Sequence, residues 1–192
     1  RIVVRFFEPG EAIDPRLVEG FSRGEIDVMA FEHAERRASV LETPIAAGVI
    51  VEQAPSGEWE HLNFQFGPAN RNTESSNASA TYRGLIARAI DREALAADRG
   101  TTVLHSILGN FVPGLGDDPF SQYSFDPDAV RQALGSDQPS VLVTIPSDDP
   151  STVALGGDIV TMLRDVGFDA ELQLEDAALF FGMTLDNGSW DV

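Results

Sequence analysis

The segment from residue 140 to residue 174 constrains the fold most tightly, because two strand patterns there flank one helix pattern with short joints. The run SVLVTI at 140–145 is typical of a buried strand, and apolar residues alternate along a second strand up to residue 174. Such a unit requires parallel strands and a right-handed crossover. The helix is predicted from about Ser151 to the stop signal Gly167, with inner positions Leu155, Ile159, Met162, Leu163 and Val166.

The start of the chain repeats the same order of elements. The run RIVVRFF at 1–7 predicts a strand, Asp14 and Pro15 predict the cap and first residue of a helix that Gly24 ends, and EIDVMAF at 25–31 predicts the next strand. Two such blocks predict an α/β fold, with a mostly parallel sheet flanked by helices.

A paired helical segment lies between the blocks, over residues 82–99. Its apolar residues recur at helical spacing until Asp91, which we expect to cap a second helix that ends at Gly100. The remaining predictions are strands at 47–53 and 59–66, a loop over 101–125, a helix capped by Asp126 and Pro127, a helix and turn over 176–188, and a last strand at 190–192. Because both ends of the chain are strand-like, we expect it to be a piece excised from a longer protein.

The composition excludes several classes of protein. With 31 acidic and 13 basic residues, the formal charge of −18 repels phosphate backbones and anionic lipids, so no binding to nucleic acid is predicted. We interpret the charge as an aid to solubility or an adaptation to salt, ahead of a preference for cationic ligands. No cysteine is present, which excludes disulfides and thiolate metal sites.

No catalytic motif is present in the sequence. There is no nucleophile elbow, no phosphate-binding loop and no dinucleotide fingerprint, and the three histidines lack a metal-ligand spacing. We therefore predict no enzyme activity, no metal and no cofactor. A hydrolase would need a nucleophile and a base in one cleft, and the sequence indicates neither.

Two pairs of residues admit a structural and a functional interpretation. Asp148 and Asp149 are expected to complement a helix N-terminus rather than to form an acid–base pair. Gly156 and Gly157 indicate either close packing of the helix on the sheet or a backbone left bare for a ligand, and we favour packing. Trp190 is likewise expected to pack rather than to stack on a ligand.

Five motifs occur in one order along the chain: GEIDV, W-x-x-L-x-F, RGLIARAIDREAL, FDPDAVRQAL, and a strand–helix–strand block ending in WDV. Together they resemble the second lobe of the extracytoplasmic solute-binding proteins of family 5, which serve ABC importers of oligopeptides, dipeptides and nickel. Gln65 stands where that family usually has Asn. The resemblance implies a periplasmic-binding-protein-like type II lobe that spans residues 1–192 and forms half of a two-lobed receptor.

The resemblance also implies a function and a site. The receptor would capture a peptide or similar small solute between its lobes and deliver it to ABC permease subunits, as a monomer outside the cytoplasm, either membrane-anchored (a lipoprotein) or secreted. Ligands of open α/β sheets lie beyond the carboxyl ends of the strands. The predicted ligand-binding residues are Phe31, Asn63, Gln65 and Phe66.

One alternative belongs to another class of function. A solute-binding-like domain without transport activity, serving regulation or interaction in the cell envelope, would carry the same motifs, because these specify fold and not ligand. In peptide-binding relatives, an acidic residue that pairs with the amino group of the ligand lies after the strand that WDV resembles, and therefore beyond Val192. We expect the 192-residue chain alone to carry only half of a site.

Overall fold

A computed structural model of the chain describes residues 15–29, 50, 52, 60–65, 80–104, 120–187 and 190–192. The chain divides into two compact units, Arg1–Ser56 and Gly57–Val192. The first unit contains helix α1 (Pro15–Ser22). The second contains α2 (Ala80–Ala89), α3 (Arg92–Asp98), a 3-10 turn (Ser121–Tyr123), α4 (Pro127–Leu134), β1 (Ser140–Pro146), α5 (Pro150–Val166), β2 (Asp169–Glu175), α6 (Ala177–Leu179), a π-helical turn (Phe180–Thr184) and α7 (Leu185–Asn187).

The β1–α5–β2 block confirms the parallel strand–helix–strand prediction. β1 and β2 pair in parallel along their whole length, from Ser140 opposite Asp169 to Pro146 opposite Glu175. The two strands can be parallel because α5 carries the chain back across the sheet between them. Gly167 ends α5 with a φ of 112°, a left-handed conformation in which a side chain would be strained.

The core of the second unit lies between α5, β1 and the helices α2 and α4. Val141 and Val143 of β1 and Leu163 of α5 are fully buried, and burial of each such side chain contributes roughly 1.5–3 kcal/mol. The other buried members of this core are Leu85, Ile86, Ala89, Ile90, Val130, Leu134, Ile159, Val160, Val166, Phe168, Ala170 and Val192.

The paired helices on either side of Asp91 are confirmed. The Asp91 carboxylate accepts a hydrogen bond from the backbone N–H of Ala94 at 3.0 Å, which satisfies one of the free donors at the start of α3. Leu85, Ile86 and Ala89 form the buried face of α2. The family-like RGLIARAIDREAL segment therefore supplies core contacts and a helix cap.

The last three residues extend the sheet on the side of β1 opposite β2. The Val192 N–H donates to Leu142 O at 3.1 Å and the Thr144 N–H donates to Val192 O at 2.9 Å, which is the pattern of a parallel pair. On the opposite side of β1, just after its last residue, the Ser147 N–H donates a hydrogen bond to Glu175 O of β2. The strand predicted at 190–192 thus pairs with β1.

The strand predicted at 25–31 is wrong over its described part. Residues 25–29 form no strand pairing with any other described residue. The N–H groups of Glu25 and Ile26 both donate to Gly20 O, so the backbone closes locally on the end of α1, and Val28 is 81% exposed. These local bonds use donors that a sheet ladder would need.

Several predictions fall outside the described ranges or are only partly covered. The strand predicted at 1–7 and most of the one at 47–53 lie outside them, as does the middle of the 101–125 loop. Residues 60–65 form no regular strand, but Gln65 N–H donates to Asp191 O at 3.0 Å. Within the described ranges, none of the helices has the length and apolar character that a bilayer span requires.

Candidate functional site

The ends of β1 and β2 form the candidate site of the second unit. We call this region the carboxyl edge and define it as residues 146–148 and 174–187. The Ser147 N–H donates to Glu175 O at 2.8 Å and holds the two strand ends together. In open α/β sheets ligands bind beyond this end of the strands, because the loops that follow parallel strands converge there.

The start of α5 fixes the backbone that leaves β1. Asp149 accepts hydrogen bonds from the Thr152 N–H at 2.9 Å and from the Thr152 hydroxyl at 2.8 Å, and Pro150 occupies the first turn. The prediction that this acidic pair complements a helix N-terminus is confirmed for Asp149. Asp148 is exposed at the carboxyl edge.

The Glu175 carboxylate connects the end of β2 to the helical segment that follows. One oxygen accepts from the Gln173 amide, and the other accepts from the hydroxyl of the buried Thr184. Asp176 then caps α6 by accepting from the Ala178 N–H at 2.9 Å. These bonds hold the 177–187 segment against the end of β2.

Several apolar side chains of the 177–187 segment are exposed. Phe181 is 66% exposed, Met183 56% and Leu179 53%, and the neighbouring Leu174 is also exposed. The rings of Phe180 and Phe181 pack edge to face with centroids 5.0 Å apart. A π-helical turn forms the middle of the segment, and such turns occur frequently at functional sites.

The structure places two of the four predicted ligand-binding residues. Asn63 is exposed and Gln65 is half-buried, whereas Phe31 and Phe66 lie outside the described residues. The Gln65 N–H donates to Asp191 O at 3.0 Å, beside the strand-like end of the chain. A ligand contact by these four residues stays a prediction.

Two features of the second unit are not among the predictions made from the sequence. One is the exposed apolar character of residues 177–185, whose signal was a run of nine residues without charge, AALFFGMTL. The other is Asp191, which is 2% exposed and whose Oδ2 accepts from the Leu142 N–H at 2.9 Å. Its signal was an acidic residue inside a strand-like run, which must find donors when it is buried.

Asp191 belongs to a small group of buried polar atoms. Asp191 Oδ1, Trp190 Nε1 and Thr144 Oγ1 have no hydrogen-bond partner among the described residues. Trp190 is buried, so the expectation that it packs is confirmed. Asp191 lies alongside the middle of β1 and not at its carboxyl end. We therefore interpret the hydrogen bond from the Leu142 N–H to its Oδ2 as one that stabilises the pairing of residues 190–192 with β1.

The glycine pair in α5 has a packing role at one of its two positions. A Cβ at Gly156 would lie 2.5 Å from Ile145 Cδ1 and 3.0 Å from Leu172 Cδ1, whereas a Cβ at Gly157 would meet nothing within 4 Å. The close packing of helix on sheet is therefore confirmed at Gly156. Across the described ranges, no group of three or more His, Asp or Glu side chains is placed to hold a metal ion.

Comparison with known proteins identifies similar folds. No family model and no curated protein sequence matches the chain. NikA from Brucella suis, whose crystal structure contains Fe(III)-EDTA, is 18% identical with a TM-score of 0.60, over 92% of this chain and 38% of NikA. CtaP, an ABC transporter substrate binding protein from Listeria monocytogenes, is 16% identical with a TM-score of 0.64, over 93% of this chain and 36% of CtaP.

The fold is periplasmic-binding-protein-like. This confirms the predicted α/β class with its parallel sheet and flanking helices. The chain spans 38% and 36% of the lengths of the two similar structures. At 18% and 16% identity the likeness establishes the fold and not the function.

Proposed function

We propose that this chain forms part of a solute-binding protein that captures a peptide or similar small solute in a cleft between two lobes. The captured ligand is delivered to the permease subunits of an ABC importer, outside the cytoplasm. The observation that supports this most is the overlap of 92% and 93% of the chain with NikA and CtaP, the second of which is an ABC transporter substrate binding protein.

The carboxyl edge supports a binding role on physical grounds. Its strand ends are joined by the bond from Ser147 N–H to Glu175 O, so the surface is pre-formed and little ordering entropy is lost when a ligand binds. Exposed apolar side chains such as Phe181 can bury area against a ligand, and exposed carboxylates such as Asp148 can orient it.

In this proposal the chain supplies one side of the cleft. Phe31, Asn63, Gln65 and Phe66 are proposed as further ligand contacts. The receptor acts as a monomer, either anchored to the membrane or secreted, and performs no catalytic step.

Native mass spectrometry of the complete gene product, purified without denaturation, tests the proposal. We expect a small molecule, with the mass of a short peptide or similar solute, to be released from the protein when the collision energy is raised. A complete gene product that carries no small molecule, and that takes up none from a peptide mixture, would argue against a solute-binding role.

Calorimetry on the isolated chain tests whether the ligand site is shared with a second lobe. If this chain holds only one side of the cleft, the 192-residue chain should bind peptides weakly or not at all. Tight peptide binding by the chain alone would contradict a site shared with a second lobe.

A further inference from the structure

The strand β2 lies at an edge of the described sheet. Among the residues that the structure describes, β1 is the only strand that pairs with β2. The other side of β1 is covered, because residues 190–192 pair with it and the Gln65 N–H donates to Asp191 O in turn. A strand at the edge of a sheet carries backbone N–H and C=O groups without a ladder partner, and these can pair with a strand of another molecule.

The register shows which backbone groups of β2 point away from β1. The Asp169 N–H donates to Pro139 O at 3.0 Å. Glu175 O accepts from the Ser147 N–H at 2.8 Å. In a parallel ladder alternate residues direct both of their backbone groups to the same neighbour, so the odd-numbered residues of β2 face β1. The even-numbered residues direct their N–H and C=O groups to the open edge, and these are Ala170, Leu172 and Leu174.

Arg164 occupies one acceptor of this open edge. Its Nε–H donates to Ala170 O at 2.8 Å from the last turn of α5, so the side chain reaches from the helix to the edge of the sheet. An added strand would need the same carbonyl, because Ala170 is one of the residues that point outward. A hydrogen bond from a charged donor is stronger than one from a neutral amide, so the guanidinium competes well for this acceptor.

A second copy of β2 fits this edge geometrically. Two identical edge strands can pair antiparallel about a twofold axis, and the register that pairs the whole of Asp169–Glu175 is centred on Leu172. In that register Ala170 lies opposite Leu174 of the second copy, and Ala170 O would accept the N–H of that residue. Arg164 holds the same acceptor, so its bond and the pairing of two copies exclude each other.

Carboxylates add a second barrier to this pairing. In the same register Asp169 of one copy lies opposite Glu175 of the other, and this like-charge pair occurs twice in a twofold dimer. Glu171 adds a further exposed carboxylate to each strand. Charged residues on an edge strand are one way in which proteins prevent edge-to-edge association. Because salt screens exposed charges, this second barrier falls as the ionic strength rises.

We propose that the β2 edge is a latent dimerisation surface for a second copy of this chain, and that Arg164 keeps it closed by occupying Ala170 O. With Arg164 in place the protein stays monomeric. Without it, β2 pairs antiparallel with β2 of another copy, and the two sheets become continuous. This surface is separate from the proposed ligand-binding region, because it is formed by the side of β2 and not by the ends of the strands.

Sedimentation velocity of an Arg164→Ala variant of the complete gene product tests this closure. We expect the parent protein to be monomeric and the variant to dimerise at least about tenfold more strongly, because two acceptors are freed in each dimer. The dimer fraction of the variant should rise with sodium chloride, since the carboxylates of the two edges then repel each other less. A dimeric parent protein, or a variant that stays monomeric at high salt, would overturn the proposal.

Arg131→Ala is the matched control for this change. Arg131 is also exposed, and its Nε–H also donates to a carbonyl, but that carbonyl is Asp165 O within α5 and not a group of the β2 edge. We expect Arg131→Ala to stay monomeric. Equal dimerisation of the two variants would assign the effect to the lost positive charge and overturn the role of the edge.

A proline at position 174 separates edge pairing from other modes of association. Leu174→Pro removes the N–H that would bond Ala170 O of the second copy, whereas the ladder with β1 is kept because this N–H points away from β1. We expect the double variant of Arg164→Ala with Leu174→Pro to be monomeric at every salt concentration, and cooperative unfolding in urea shows that each variant is folded. Dimers that persist in the double variant would place the contact on another surface and overturn the proposal.

Discussion

Replacing the two adjacent glycines of α5 one at a time tests the packing of this helix on the sheet. Gly156 is buried, and a Cβ there would lie 2.5 Å from Ile145 Cδ1 and 3.0 Å from Leu172 Cδ1. A Cβ at Gly157 would have nothing within 4 Å. Because both positions lie inside the same helix, the change to Ala brings the same gain in helix propensity, and only the contact differs.

The expected magnitudes follow from these distances. An Ala in a helix interior is about 0.8–1 kcal/mol more favourable than a Gly, so Gly157→Ala should stabilise the fold by about that amount. At Gly156 the same gain is offset by an overpacking cost of about 1–3 kcal/mol, since Ile145 and Leu172 must move. Gly156→Ala should therefore be neutral to about 2 kcal/mol destabilising.

Urea unfolding followed by circular dichroism measures both variants. In a domain of this size 1 kcal/mol corresponds to about 2–4 °C, so Gly157→Ala should also raise the Tm by about that much. Adding Ile145→Val to Gly156→Ala removes the Cδ1 atom closest to the new methyl group, and the pair should couple favourably by about 0.5 kcal/mol or more. Equal stabilisation by the two glycine variants would refute the close approach of α5 to the sheet.

Three further changes probe single contacts in the second unit. Asp191→Ala leaves the Leu142 N–H without its 2.9 Å acceptor and should lower the free energy of unfolding by about 1–3 kcal/mol in urea; an unchanged midpoint would exclude a ladder role for this carboxylate. Asp149→Ala removes the cap of α5 and should cost about 1 kcal/mol, seen as a lower Tm, whereas Asp149→Ser should retain most of the stability. Arg99→Ala breaks the 2.8 Å ion pair with Asp158 and should cost less at high salt than at low salt; a cost independent of salt would assign the effect to packing.

Elements defined by local chemistry were predictable from the sequence. Both ends of α5 follow from neighbouring residues, because Asp149 accepts bonds from Thr152 and Gly167 adopts a left-handed conformation. The cap at Asp91 follows in the same way. The two partners of each of these hydrogen bonds are three or four residues apart, so a short sequence pattern contains both of them.

Features that depend on distant partners were not predictable in the same way. The alternating pattern of residues 25–29 matches a strand that would need a neighbouring strand to pair with, but the N–H groups of Glu25 and Ile26 instead bond Gly20 O at the end of α1. The buried position of Asp191 depends on Leu142, 49 residues away, and no spacing rule connects the two. Predicting either feature requires knowledge of which strands lie side by side.

The motif RGLIARAIDREAL predicted the fold better than the ligand site, because its residues pack in the core and do not lie at the carboxyl edge. Within RGLIARAIDREAL, Leu85, Ile86 and Ile90 are buried in the core. Arg88 and Arg92 donate to the carbonyls of residues 122 and 123 and hold that loop against the helices. None of these contacts reaches the ends of β1 and β2, so the motif constrains packing but leaves the ligand open.

Ligand choice is expected to depend on residues outside that motif. The 177–187 segment must keep a donor for the Glu175 carboxylate, which Thr184 supplies, and a cap, which Asp176 supplies. Its exposed positions, such as Phe181, make no described contact that the fold requires beyond the ring of Phe180. Substitutions there can change the ligand without a large cost in stability, because exposed side chains contribute little to folding. Transplanting a polar 179–183 sequence while keeping Thr184 should therefore change which peptides the complete gene product takes up from a mixture, read by native mass spectrometry, and leave the unfolding midpoint in urea unchanged. A large loss of stability would instead show that this apolar surface is part of the core of the protein.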